Sequence, residues 1–237
     1  MNHSELSPNY TLEVPHHLRH LLLVGIFGGA IGLILILLTP ADQHLVANIL
    51  LVVGIIAIVL TALLTLVTNE QIRLSARRRM MNAIEWRGDE VVLDVGCGNG
   101  FLLLEVAKHL TTGKAIGIDV WKGEAGHQTT DAVRHNAQLE GVADKIDVQN
   151  VDARKLSFER GTFDVIVSSL ALHHMGGDSD REQALREMIR VLKPGGIIVL
   201  YDMFTFVGQA GVLARQAGFT KVKRLGGFPM TVLSASR

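Results

Sequence analysis

The chain has 237 residues, with 23 Lys and Arg against 23 Asp and Glu. Its formal net charge is therefore zero, which excludes a general nucleic-acid binder, because phosphate contacts need surplus positive charge. Hydrophobic residues reach 48% and charged residues only 19%, too apolar for disorder and high for a purely water-soluble domain, while the single cysteine, Cys97, rules out an internal disulfide framework and a multi-cysteine zinc site.

The excess apolarity lies in two N-terminal blocks. Residues 21–38, LLLVGIFGGAIGLILILL, carry no charge and reach roughly 27 Å as a helix, enough to just span a bilayer core. Residues 45–67, LVANILLVVGIIAIVLTALLTLV, reach roughly 34 Å. Pro40 in the short segment between them stops the first helix, so the pair is expected to form an antiparallel transmembrane hairpin. Arg19 precedes the first span, and Arg73, Arg77, Arg78 and Arg79 follow the second. The positive-inside tendency then places both termini and the downstream domain on the cytoplasmic side of an integral membrane protein. Gly25, Gly28, Gly29 and Gly32 form overlapping small-xxx-small spacings, which suit packing against the second span near Gly54 or a homodimer face. Residues 1–68 are thus read as an anchor, 69–88 as a linking amphipathic helix whose arginines meet membrane lipids, and 89–237 as a separate domain.

From residue 89 onward, β-rich runs alternate with amphipathic helical stretches. Strands are expected near 91–95, 115–119, 146–150, 163–168 and 197–201, with helices near 100–110, 130–140 and 181–192 between them. Lys193-Pro194-Gly195-Gly196 reads as a helix stop and turn, followed after the fifth strand by a helix near 209–217 and strands near 220–225 and 230–235. Seven strands suit an α/β, doubly wound, Rossmann-like sheet, whose ligand site lies beyond the carboxyl ends of its strands.

The first of those strands runs into VVLDVGCGNG, a D-x-G-x-G-x-G arrangement of Asp94, Gly96, Gly98 and Gly100 that opens into a helix. Glycines serve where backbone must approach a ligand or where φ is positive. The third glycine falls one residue early for the dinucleotide fingerprint, and Phe101 takes its place, which favours a cofactor without a pyrophosphate. Asp119 ends the second strand, where a carboxylate can accept both hydroxyls of a ribose. After the third strand comes Asp152, where an acidic side chain can receive an exocyclic adenine amine.

With these motifs, and with HNAQLEGVADKIDVQNVDARKLSF, FDVIVSSLALHHM and LREMIRVLKPGGIIVLYD, residues 80–237 resemble the class I S-adenosylmethionine-dependent methyltransferases. A less specific resemblance is to the quinone and sterol methyltransferase-like branch. The resemblance implies S-adenosyl-L-methionine as cofactor, with Gly96, Gly98 and nearby backbone along its methionine and ribose and Asp94 near the amino-acid end. It further implies Asp119 on the ribose, Asp152 and Ala153 at the adenine, and Ser168 to Leu170 beneath the sulfonium. Cys97, Gly100 and Val120 complete the candidate cofactor-binding set. The segment VWKGEAGHQTT at 120–130 departs from the family's usual short turn, and Trp121 there either stacks on adenine or shields it.

Methyl transfer from a sulfonium is an in-line displacement that asks mainly for alignment and exclusion of water. An oxygen or carbon acceptor gains from a base, and the candidates are His173 and His174, then His127 and Asp202. The spacing of His173, His174, Asp178 and Asp180 matches no standard metal-ligand set, so no metal is expected. Ser168-Ser169-Leu170-Ala171 lacks the Asp/Asn-Pro-Pro-Tyr signature of nucleobase amino methylation, a second sign against a nucleic-acid substrate. A membrane anchor points to a lipophilic small-molecule acceptor: a quinone, a lipid or a thiol. The alternative reading is a non-catalytic S-adenosylmethionine-binding membrane scaffold or sensor.

Overall fold

The structure is a computed structural model that describes residues 16–38, 40, 44–67, 70–121, 129–226 and 229–236. The chain divides into two compact units, one ending at Ser75 and one running from Ala76 to Arg237.

The first unit contains α1 (His16–Leu38) and α2 (His44–Val67), followed by the start of α3 (Glu70–Asn82). α1 and α2 are antiparallel, because Gly25 meets Gly54 and Ala57 while Gly32 meets Ala47 and Leu51. The close approach depends on small residues: a Cβ at Gly54 would lie 2.7 Å from the Gly29 nitrogen and 2.8 Å from the Gly25 carbonyl oxygen. The glycine face expected to meet either the second span or another copy is thus occupied by α2. Branched and aromatic side chains such as Phe27, Leu37, Leu45 and Ile56 point outward and are exposed.

Among the described residues no helix is long and apolar enough to cross a membrane. The expected transmembrane hairpin is therefore present as a helical hairpin, without its crossing of a bilayer being shown.

In the second unit, strands β1 (Val91–Val95), β2 (Lys114–Asp119), β3 (Ile146–Asn150), β4 (Phe163–Ser169), β5 (Leu192–Met203), β6 (Lys221–Leu225) and β7 (Met230–Ser236) form one sheet in the order β3-β2-β1-β4-β5-β7-β6. β1 to β5 are parallel, while β7 lies antiparallel to both β5 and β6. Alternation along the strands feeds two cores. Val92, Val165, Val167 and Val199 face one side, with Met80 of α3, Leu103 and Leu104 of α4 (Leu103–His109) and Val133 of α5 (Thr130–Leu139). Leu93, Ile166, Ile198 and Leu200 face the other, with Met188 of α6 (Asp178–Val191) and Ala210 of α7 (Phe204–Gln216). Helices on both faces of a largely parallel sheet make the expected doubly wound layering.

Of the boundaries that differ from expectation, three bear on how the domain is built. The compact unit begins at Ala76 rather than near residue 89, because Ala76, Met80, Met81 and Ile84 are buried in its core. β5 starts at Leu192, which pairs with Phe163, and resumes at Ile197 opposite Val165, so Lys193-Pro194-Gly195-Gly196 bulges out of a continuing strand. α7 starts at Phe204, five residues early, where the Phe204 N–H donates to the Pro229 carbonyl at 2.9 Å and no side chain caps the helix. That partner is distant in sequence, so no local signal marks the start.

Gly54→Leu is expected to force α1 and α2 apart at a cost of about 1–3 kcal/mol, whereas Gly28→Ala, whose Cβ would meet nothing closer than the Leu50 carbonyl at 4.0 Å, is tolerated. Thermal melting of the full chain in detergent, followed by circular dichroism, separates the two.

Candidate active site

The strand order reverses between β1 and β4, and this switch point is where a doubly wound sheet opens a crevice at its carboxyl ends. The residues following β1 and β4 converge there. Gly96 has φ +76° and faces Ala171, whose Cβ would lie 2.3 Å from any Cβ at position 96. Ser168 donates its hydroxyl to the Val95 carbonyl at 2.8 Å and is buried, so its side chain clasps β1 to β4 instead of facing the crevice. Leu170 takes φ +57°, a conformation that branched side chains rarely occupy, with its N–H donating to Tyr201 at 2.8 Å. With Ala171 it follows β4 directly, at the carboxyl end of the sheet where the crevice opens, and its side chain packs partly against the core.

The glycine loop turns its amides inward. The N–H groups of Gly96 and Cys97 both donate to the Ile118 carbonyl, at 2.8 and 3.1 Å, and that of Gly100 donates to Cys97 at 2.8 Å. The Gly98 N–H donates to Asp119 Oδ2 at 2.8 Å. An anion-binding loop would instead aim such donors at its ligand. This loop therefore does not offer the usual pyrophosphate cradle.

Carboxyl groups surround it. Asp94 is 1% exposed, and neither of its side-chain oxygens has a hydrogen-bond partner. Burial, then repulsion from Asp119, pushes its pKa up to about 8 against a small opposing pull from the Leu103 amide, so Asp94 is largely protonated at neutral pH. Asp119, half-buried, is also raised by burial, with the Gly98 and Val120 amides and His174 opposing. Val120 beside it is exposed.

Other expected residues fall as follows. Cys97 is buried, and burial and the carboxyls of Asp94 and Asp119 raise its thiol well above the ordinary value, which rules out a catalytic thiolate. Its sulfur packs 2.9 Å from where a Cβ on Gly117 would sit, so it fills the core under the loop. Asp152 is gripped by Arg154, whose Nη2 and Nε donate at 2.6 and 3.0 Å, while Ala153 is buried next to it. Trp121 donates its indole N–H to the Gly98 carbonyl at 3.3 Å, bracing the loop, and Asn136 does the same to Asn99 at 3.0 Å. Trp121, expected to stack on adenine or shield it, is thus tied by its indole N–H to the loop backbone, and the brace from Asn136 carries no local sequence signal. His127 lies outside the described residues.

Across the crevice, His173 Nδ1 lies 2.9 Å from Asp202 Oδ1. Asp202, 1% exposed, also accepts from the Met203 N–H at 2.7 Å and the His173 N–H at 3.3 Å. An Nδ1–H donating to the carboxyl leaves Nε2 as a bare acceptor on a half-buried ring. His174 packs against His173 with ring centroids 4.0 Å apart. Although His174 reaches solvent, partial desolvation and His173 hold its pKa below the usual value, with Asp202 and Asp119 opposing.

Residues 93–200 match the family model described as "Methyltransferase domain". The match covers 108 of the 237 residues, a likeness to a methyltransferase domain over just under half of the chain. The chain is similar to the 27-O-demethylrifamycin SV methyltransferase of Amycolatopsis mediterranei, at 28% identity over 66% of this chain and 53% of that one. It is also similar to the demethylmenaquinone methyltransferase of Bacteroides fragilis, at 28% identity over 55% of this chain and 50% of that one. The chain thus spans about half the length of these curated relatives. A solved S-adenosylmethionine-dependent methyltransferase from Aquifex aeolicus shares the fold, with TM-score 0.55 and 20% identity over 67% of this chain and 88% of that one. S-adenosyl-L-methionine suits the crevice: Asp119 stands at a strand end where a carboxylate can accept ribose hydroxyls, and the buried, unpartnered Asp94 would gain its charge beside a cationic ligand.

Gly96→Ala is expected to destabilise the domain by about 1–3 kcal/mol, through the clash with Ala171 and a strained φ, and to weaken cofactor binding measured by calorimetry. Asp94 gives a second prediction. Its folded pKa lies above the ordinary carboxyl value of 3.8, so the folded state keeps a proton that the unfolded state has lost between about pH 4 and 8. Its contribution to stability is therefore full below pH 4 and is lost as pH rises to about 8, on the order of 5 kcal/mol across that window. Asp94→Asn should flatten this part of the pH–stability profile measured by urea unfolding.

Proposed function

We propose that this chain is a membrane-anchored S-adenosyl-L-methionine-dependent methyltransferase acting on a small lipophilic acceptor, a quinone, lipid or thiol, on the cytoplasmic face. The observation that carries the reading is a glycine loop with its amides turned inward, flanked by Asp94 and Asp119, which suits a cationic adenosyl ligand and disfavours a pyrophosphate. The outward apolar faces of α1 and α2, continuous in sequence with residues 21–38 and 45–67, support the anchor. Relatives named for rifamycin and menaquinone acceptors support a substrate of that size and character.

When bound, the cofactor supplies an electrophilic methyl group on a positively charged sulfur. The chain's own part is alignment, exclusion of water by Leu170 and Ala171, and proton removal. His173 Nε2 would accept the proton of an acceptor hydroxyl whose oxygen takes the methyl carbon while the carbon–sulfur bond breaks and its electron pair stays on the now neutral sulfur. Asp202 holds the imidazole in the tautomer that makes this possible.

Incubating the full chain in detergent with labelled S-adenosylmethionine and a membrane lipid extract tests the reading. Label in an extractable lipid is expected. Cofactor binding with no labelled product would turn the reading to a scaffold or sensor. His173→Gln should lower kcat on a hydroxyl acceptor about 10² to 10⁴-fold with cofactor affinity unchanged. Asp202→Asn should likewise lower kcat on that acceptor, because the ring is no longer held in one tautomer. An unchanged rate in both variants would remove the base from the mechanism.

A further inference from the structure

One side of the crevice mouth carries a basic and apolar patch that methyl transfer does not use. Leu225 lies opposite Val232, and Met203 opposite Met230, so the end of β6 sits on the same rim as the carboxyl end of β5. On that rim Met203 and Phe204 are 38% and 40% exposed. The Arg224 guanidinium lies over the Phe204 ring, 4.8 Å from its centroid. Arg79 of α3 reaches the same corner, since a Cβ on Gly226 would lie 2.8 Å from its Nη1. Both arginines are exposed. Arginine interleaved with aromatic and thioether side chains suits the boundary between lipid headgroups and acyl chains.

Chain length adds a second constraint. Arg79 follows the last residue of α2, Val67, by only twelve positions. A tether of twelve residues reaches at most about 43 Å even when fully extended.

We propose that Arg79, Met203, Phe204 and Arg224 form a docking surface for an anionic phospholipid bilayer, turning the crevice mouth toward the lipid from which the acceptor enters. Positive charge complements anionic headgroups, and Met203 and Phe204 supply the apolar depth. This inference rests on the membrane-anchor reading and names the lipid chemistry and the face that meets it.

The test uses the full chain with Phe204→Cys, labelled with a polarity-sensitive dye. Buried Cys97 leaves residue 204 as the labelling target, and labelled wild type measures the background. The protein is reconstituted into vesicles of phosphatidylcholine alone or of an equal mixture with phosphatidylglycerol. Brighter, blue-shifted emission in the anionic vesicles is expected, and high salt should reverse it. Arg79→Gln and Arg224→Gln should each weaken docking about fivefold, with circular dichroism confirming that the variants fold. The comparison of the two lipids needs neither arginine variant.

Water-like emission in both lipids, from a chain that stays with the vesicles through an alkaline wash, would overturn the docking surface and leave the anchor standing. Release of the chain by that wash would overturn the anchor instead, and lipid-dependent emission before the wash would still support the docking surface.

Discussion

The contact between Gly96 and Ala171 is the constraint from which the rest of the crevice follows. Two loops leave neighbouring parallel strands at the point where strand order reverses, and they approach until there is no room for a Cβ on one of them. Ser168 ties the same strands together from beneath, and the Ile118 carbonyl receives two amides of the loop from the side. The glycine loop is thus held by its own hydrogen bonds before any ligand arrives. Such pre-organisation reduces the ordering that binding would otherwise demand.

The same bonding explains the electrostatic character of the site. With its donors engaged inward, the loop presents carbonyl and Cα surface, and the nearby carboxyls set the sign of the ligand it prefers. Asp94 is costly in isolation: a buried acid without partners retains its proton. A positively charged ligand nearby would favour its ionised form. Across the crevice Asp202 has the opposite situation, with three donors converging on it, and acts through the ring that it holds. Two buried aspartates on one rim therefore take different parts because their hydrogen-bond surroundings differ.

Much of this was legible in the sequence. The β1, β2 and β4 runs stood out because parallel strands buried on both faces are largely apolar stretches, and Asp94, Asp119 and the glycines fell where such strands end. The parts that were not legible depend on partners far away in the chain. Nothing near Phe204 indicates that Pro229 will receive its N–H, and nothing near Leu192 indicates that the strand resumes past a bulge opposite Phe163. Within the site, Ser168 sits at the expected position with its hydroxyl committed to Val95, and Asp152 is at its strand end with Arg154 across it. Position along a strand can be read from periodicity. The direction in which a polar side chain spends its hydrogen bonds cannot, because that depends on what the folded chain brings alongside.

Leu170 carries one more consequence. A leucine at φ +57° costs on the order of 1–3 kcal/mol relative to a relaxed backbone, and glycine would occupy the position without that cost. Glycine would also remove the isobutyl group from the place where the crevice opens. Thermodynamic robustness and a closed reaction chamber thus make opposing demands on this residue. Selecting variants of this domain for heat tolerance alone would tend to erode the chamber here first.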